Sequence, residues 1–464
     1  MIDPSLLAIL CVSALAGTVV GFLAGLIPGL HMNNIAALLS GYASSSFGIF
    51  AGLSATIGSS APGISISSFL SSALIAHIVA ESVPSTYVGI PSGDVVSVLP
   101  AHRLARSGLG RSAVRASADG ALAGVLASTV LLVPVCFLMG EPVNVYDVLR
   151  KAMGAIVIFF SCVLLISEGS RVVSGRKRSR LIRISRGTLV FLASGLLGHV
   201  VLKTGFFACA VPDFPWMPVG FVPRESLLLP MFAGLFGISS LILSLGSVQV
   251  SDLQTTSHCV HRHKPCAKDV LLCLVGGTVV GWMPGMTSGS AATLCAPTMR
   301  ETLHHTDIPS SLRFIWLYSS ISASGAVFAL GALFTIMRAR SGSMDAVDMF
   351  LDRSLDDYMW PTTLPLMSSL AMSMVLSVLA SHALLKFLDS RLRGLRNVLG
   401  STAVALAALA FIVSLSLALT GTRGAMVLSA SVLLGLLPPL VGVRRIQLMG
   451  CLLVPIAETL LAMA

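Results

Sequence analysis

GTVVGFLAGLIPGLHMNN at residues 17–34 and CLVGGTVVGWMPGMTSGS at residues 273–290 decide how this chain is read. Set against each other at an offset of 256, Gly21 meets Gly277, Gly25 meets Gly281, and Pro28-Gly29 meets Pro284-Gly285. Each stretch is apolar up to its Pro-Gly pair and polar beyond it. His31, Asn33 and Asn34 follow in the first copy, and Thr287, Ser288 and Ser290 in the second. A fainter echo comes later, Ser65-Ile66-Ser67 near Ser320-Ile321-Ser322. One glycine-spaced apolar run is explained by close helix packing alone. Two that both stop at Pro-Gly say more. Proline lacks an amide hydrogen and glycine reaches dihedrals that other residues avoid, so the pair can end a helix inside an apolar layer. Matching interrupted segments in two halves of a chain point to the binding site of a membrane transporter.

The rest of the chain agrees. Of its 464 residues, 55% are hydrophobic and 11% charged, and the mean hydropathy is +0.90. A water-soluble domain carries charge on about a quarter of its residues, so that class is excluded. Disorder is excluded too, because it requires low hydrophobicity and high charge. The expected fold is an all-α polytopic integral membrane protein. It has about 10–12 spans, two inverted repeats, and broken or re-entrant helices. The expected division is residues 1–187 as a first repeat, with a re-entrant Pro-Gly hairpin and an irregular 82–103 loop. Residues 188–268 are connecting spans, and 269–464 hold the second repeat and C-terminal spans. The apolar run from Leu6 to Ile27 follows no basic segment, so it reads as the first membrane segment and not as a signal peptide.

The net charge of +10 comes from short basic clusters between apolar runs. These are Arg103–Arg115, Arg171–Arg186 and Lys386–Arg396. The positive-inside rule places all three in the cytoplasm of a multi-pass plasma-membrane protein. They give no reason to expect a nucleic-acid partner; membrane lipids are the expected surroundings, with anionic headgroups available to the longest basic run. The first hairpin then enters from outside. The second enters from the side of Arg262, Lys264 and Lys268, inside. Arg338 and Arg340 are left facing outward, against the rule.

Beyond each Pro-Gly pair, a new helix start presents free amides and the positive end of its dipole. Two such ends make an anion site without a buried lysine or arginine. The candidate substrate ligands are Pro28, Gly29, His31, Asn33, Asn34, Pro284, Gly285, Thr287, Ser288 and Ser290. The plainer alternative is two kinks with satisfied polar caps. Gly89, Pro91, Ser92 and Gly93 join the substrate candidates, because the proline-rich stretch from Ser82 to Arg103 cannot form a regular span. Irregular backbone at membrane depth is tolerated where it is buried in protein or lines a cavity. Asp94 in that stretch is either a cavity carboxylate, coupling transport to Na+ or H+, or a cap on the helix starting near Val95. His31 is the second coupling candidate.

Other polar groups read more simply. His77 and Glu81, one turn apart, either pair or mark the interface. Asp119 is expected to neutralise Arg115, one turn away. Glu168 and Glu458 sit near span ends with no assigned role. The nine cysteines follow no framework spacing and read as small buried hydrophobes. His258 to Cys266 has metal-ligand residue types but no zinc spacing, so no metal is expected. No cofactor is expected beyond a coupling Na+ or H+. No HExxH, Walker A or G-x-S-x-G pattern occurs. Ser92-Gly93-Asp94 echoes intramembrane aspartyl proteases, but no second aspartate accompanies it. The expectation is a transporter run on ion gradients or by a partner ATPase, not an enzyme.

These motifs resemble the large permease subunit of the tripartite tricarboxylate transporters, the TctA family. The carriers are the glycine-spaced Gly17–Gly29 motif and its second copy ending at Pro284-Gly285. The PGLHMNN form of the motif, the stretch from Ile78 to Arg115, and LGLLPPLVGVRRIQLMGCLLVP at 434–455 are similar to a divergent, archaeal-type branch. The resemblance implies a duplicated permease moving a carboxylate such as citrate on an ion gradient. It implies a small membrane subunit and an extracytoplasmic binding protein as partners. It also implies substrate-site backbone at Pro28, Gly29, Pro284 and Gly285, and a match of Gly89-Ile90-Pro91 to a family segment. His31-Met32-Asn33 and Ser92-Gly93-Asp94 depart from the bacterial pattern, which puts citrate itself in doubt. Two rival readings follow from the same residues. One is a translocase for an isoprenoid phosphate or similar anionic lipid carrier, with His102 and Arg103 beside the headgroup. The other is an intramembrane enzyme built around Asp94.

Overall fold

The computed structural model describes residues 4–27, 30–41, 43–58, 61–87, 98–171, 177–204, 227–245, 261–295, 308–351, 360–388 and 402–462. The first half contains α1 (Pro4–Leu26), α2 (Met32–Gly41), α3 (Ala43–Thr56), α4 (Pro62–Ala80), α5 (Ser82–Tyr87), α6 (Val98–Arg106) and α7 (Gly110–Met139). It continues through α8 (Val145–Ser167), α9 (Lys177–Leu202), α10 (Leu228–Phe232), a π-helical stretch (Ala233–Ile238) and α11 (Ser239–Leu245). The second half holds α12 (Ala267–Trp282), α13 (Ser288–Cys295), α14 (Ile308–Ile336), α15 (Gly342–Leu351) and α16 (Leu364–Leu388). It closes with α17 (Thr402–Val441) and, after a short 3-10 turn, α18 (Gly450–Ala462). α17 is two helices divided at Gly421, whose φ of 60° and ψ of −152° are open to glycine alone.

Among the described residues, nine helices are long and apolar enough to cross a membrane, and Leu228–Leu243 and Thr402–Ala418 are shorter apolar helices. The chain is an all-α polytopic membrane protein. Side chains left exposed on α1, such as Leu15, Val19 and Leu23, are apolar, as a lipid-facing surface requires.

Two helices form the centre. The apolar stretches of α4 and α14 are 89% and 83% buried, and no other span exceeds 44%. Small residues let neighbours approach them. Gly17, Gly21 and Gly25 of α1 lie on Phe69, Ala73 and His77 of α4. The facing positions advance together, so α1 and α4 run parallel. Gly277 and Gly281 of α12 lie on Ser324 and Phe328 of α14 in the same way. In this register Ser320 corresponds to Phe69, so the echo between residues 65–67 and 320–322 is out of step with the packing.

The third helix of each group comes from the other half. α7 runs parallel to α14, with Gly120 on Trp316 and Gly124 on Ser320. α16 runs parallel to α4: the Ser68 and Ser373 hydroxyls are 2.9 Å apart, and the Ser377 hydroxyl donates to the Ser72 carbonyl at 2.6 Å. α7 and α16 are antiparallel, Asp119 meeting His382 at one end and Cys136 meeting Met367 at the other. α1, α4 and α16 therefore run one way, and α7, α12 and α14 the opposite way.

A second bundle repeats this exchange. Gly198 of α9 lies on Cys451 of α18, and Gly450 lies back on Phe191. Gly435 of α17 lies on Leu235 of the π-helical stretch, and Gly234 lies back on Leu428. The spacings are the same in both pairs. So is the local sequence, Ala193-Ser194 and Leu196-Leu197-Gly198 against Ala430-Ser431 and Leu433-Leu434-Gly435. Helices within residues 188–268 thus pack as counterparts of helices near the C-terminus.

Candidate functional site

The first tip follows α1. Pro28, Gly29, Gly89, Pro91, Ser92, Gly93, Asp94 and the Asn34 side chain lie outside the described residues. His31 Nδ1 accepts the Asn33 amide at 3.1 Å, so its ring caps the first turn of α2. Asn33 reaches away from its own helix. Its Oδ1 accepts the backbone amide and the hydroxyl of Ser343, each at 3.2 Å, at the start of α15. The starts of α2 and α15 are thereby tied together. His31 also meets His77 of α4 edge-on, with ring centroids 5.7 Å apart. His77 is 1% exposed, and its Nε2 lies 3.6 Å from the Glu81 carboxylate. The sequence left open whether these two residues pair; they face each other at a distance that becomes an ion pair when His77 is protonated, without a hydrogen bond between them.

The second tip follows α12. Met283 is extended, and Gly285 has a φ of +74°, where a side chain is strained. A methyl on Gly285 would also come within 3.0 Å of Leu453 on α18. Beyond it, the Thr287 amide donates to Ser290 Oγ at 2.9 Å, and the Ser290 amide donates to Thr287 Oγ1 at 3.2 Å. This reciprocal cap fixes the start of α13. Ser290 is buried and Ser288, the first residue of α13, is half-buried. The two tips have different neighbours: His31 and Asn33 of the first meet α4 and α15, and Gly285 of the second lies beside Leu453 of α18.

Charged groups that the sequence treated as incidental prove to be organised. Asp119 pairs with His382 at 2.8 Å and Arg262 at 3.6 Å, not with Arg115, because its side chain turns across the α7–α16 contact. Glu168, fully buried, takes the Arg444 guanidinium at 3.0 Å and the Gln447 amide at 3.3 Å. The Arg445 guanidinium bonds Ser239, Ser240 and the Leu235 and Gly435 carbonyls, bridging both partners of the Gly435–Leu235 contact. Glu458 pairs with His199 at 2.6 Å. Asp269 caps α12 through the Cys266 amide and pairs with Arg313 at 2.7 Å and His263 at 3.1 Å. Burial alone would raise its carboxyl, but the Cys266 amide and the Arg313 guanidinium outweigh that and hold it below the usual carboxylate range. Arg340, which offended the charge rule, is turned into the protein, donating to the Tyr146 hydroxyl at 3.2 Å.

Both glycine motifs, both tips and nearly all of these charged pairs fall within one match. Residues 11–450 fit the family model described as the tripartite tricarboxylate transporter TctA family. The chain belongs to the TctA family. Membership makes it a permease component of a membrane transporter. It is also similar to an uncharacterized protein of Methanocaldococcus jannaschii, 26% identical over 336 residues that cover 72% of this chain and 71% of that one. No solved structure matches it. The archaeal relative fits the divergent branch that the PGLHMNN form suggested. For a TctA chain, the parallel seating of each glycine motif explains the motif's spacing. Positions four apart are those that must lie against a neighbouring backbone.

Proposed function

We propose that this chain is a secondary-active permease that moves a small organic anion of the carboxylate class by alternating access, coupled to a cation gradient. One observation carries the reading. Two glycine helices, α1 and α12, are seated alike on oppositely directed partners, and each is followed in the chain by a Pro-Gly pair and then a short helix. Hairpins entering from opposite faces are suited to a site that opens to one side at a time. The anion would be held by the helix starts that follow Pro28-Gly29 and Pro284-Gly285 in the chain, with His31, Asn33, Asn34, Thr287, Ser288 and Ser290 around them. Gly89, Pro91, Ser92, Gly93 and the coupling candidate Asp94 belong to the same proposal. So do plasma-membrane placement, a small membrane subunit and an extracytoplasmic binding protein. We include the helices of 188–268 in the duplication, on the reciprocal glycine contacts of α9, α17, α18 and the π-helical stretch.

The lipid-carrier alternative needs His102 and Arg103 available to a phosphate. His102 Nδ1 lies 3.2 Å from the Thr86 carbonyl, and Arg103 Nη2 donates to Ser311 at 2.9 Å. Both basic groups are engaged with protein, which favours the carboxylate. Thermal-shift binding with the purified chain tests this. The panel holds di- and tricarboxylates and isoprenoid phosphates, with and without Na+. A carboxylate is expected to raise the melting temperature of the wild type. It should leave Gly29→Leu and Gly285→Leu unmoved. A shift with isoprenoid phosphates alone would overturn the carboxylate reading.

A further inference from the structure

We propose that His77 and Glu81, facing His31, form a proton-binding site that couples anion movement to a pH gradient; this rests on the permease reading above. His77 is 1% exposed, and neither ring nitrogen has a hydrogen-bond partner. A buried imidazole left unbonded at both nitrogens is rare and calls for an explanation. Its surroundings supply one. Glu81, 18% exposed, holds its carboxylate 3.6 Å from Nε2. Protonation makes both ring nitrogens donors and turns the approach of Nε2 to the carboxylate into an ion pair.

His31 is held in the other role. Its Nδ1 accepts the Asn33 amide, so a proton there would break the cap of α2. The ring 5.7 Å away on α4 takes the proton instead. The other elements packed on α4 bring few rivals. α1 and α3 carry no charged residue in their described span. α16 brings His382, bonded to Asp119, and Lys386. α14 brings Arg313, bonded to Asp269, and α7 brings Arg111, Arg115 and Asp119. α15 brings Asp345, exposed, and Asp348, half-buried. Among the described residues, His31 and Glu81 are the titratable groups that stand against the His77 ring.

The coupling follows from linkage. An anion held at the α2 start, beside His31, favours the protonated pair. By reciprocity, the protonated pair favours the anion. One proton enters from water with the anion, resides on the His77–Glu81 pair, and leaves to water on the other side. His77 lies on α4 and Glu81 caps its C-terminal end. The first hairpin is seated against this helix, so the proton is read where the hairpin moves.

Two measurements test this. The first needs no substrate: the melting temperature of the full chain in detergent is followed from about pH 3 to 8, a range wide enough for a buried histidine. Wild type is expected to show a step that His77→Gln and Glu81→Gln both lack. Glu81→Gln, at a partly exposed position, serves if His77→Gln does not fold. The second uses proteoliposomes loaded with a pH dye, with citrate and succinate as probes. A pH gradient of one unit is expected to sustain up to about tenfold accumulation at one proton per anion. In His77→Gln accumulation should fall to about unity while counterflow of the same probe persists. An identical pH profile in wild type and both variants would overturn the proposal, as would accumulation driven by Na+ and not by pH. A His77-dependent step in a protein that moves neither probe would uphold the proton site and count against the carboxylate permease.

Discussion

Replacing Gly21 by leucine is expected to leave no folded protein to purify. Even a methyl on this residue would overlap the Ala73 carbonyl, and the contact is backbone on backbone, with no flexible side chain to give way. Overpacking in a core costs about 1–3 kcal/mol when side chains can adjust; here α1 would have to lift off α4. Gly198→Leu should fail equally, because Gly198 lies against the Cys451 backbone. The matched control is Gly52→Ala on α3, where nothing lies within 4 Å of an added methyl. That change should be neutral or stabilising by about 1 kcal/mol, alanine being the better helix former. Size-exclusion profiles of fluorescently tagged protein in detergent separate these outcomes.

Glu168→Ala is the second severe case. Glu168 is fully buried and joins α8 to the chain before α18 through Arg444 and Gln447. Removing it leaves the Arg444 guanidinium, 13% exposed, without its counter-charge. Loss of one member of a buried pair costs about 3–5 kcal/mol. The melting temperature should drop sharply. Glu168→Gln, which keeps the shape and an acceptor oxygen, should recover part of the loss. Equal melting temperatures for wild type and Glu168→Ala would show the pair to be dispensable.

Much of this architecture was legible in the sequence, and the reasons are physical. Glycines every four residues before a Pro-Gly pair advertise close packing and a break; the packing appears at Gly21, Gly25, Gly277 and Gly281, and the break after α12 at Met283 and Gly285. Composition alone gave the membrane class. The partners of charges were not legible. Asp119 looked local to Arg115 because sequence displays helical neighbours but hides helices that cross, and His382 lies on such a helix. Glu168 looked incidental because its burial comes from residues far along the chain. The doubled Ala-Ser and Leu-Leu-Gly of α9 and α17 were visible as text, but their meaning rests on Gly450 and Gly234, which no linear offset aligns with them. His77 was noticed only as a neighbour of Glu81. Its approach to His31 depends on α1 and α4 being parallel.

Solute counterflow in proteoliposomes holding this chain alone tests the central claim most directly. Vesicles loaded with unlabelled succinate or citrate are diluted into trace label, with no ion gradient imposed. The account predicts a transient overshoot of labelled carboxylate with wild type and none with Gly285→Leu protein that still purifies as a single folded species. An overshoot undiminished in Gly285→Leu, or vesicles that pass no carboxylate while moving an isoprenoid phosphate between leaflets, would contradict it.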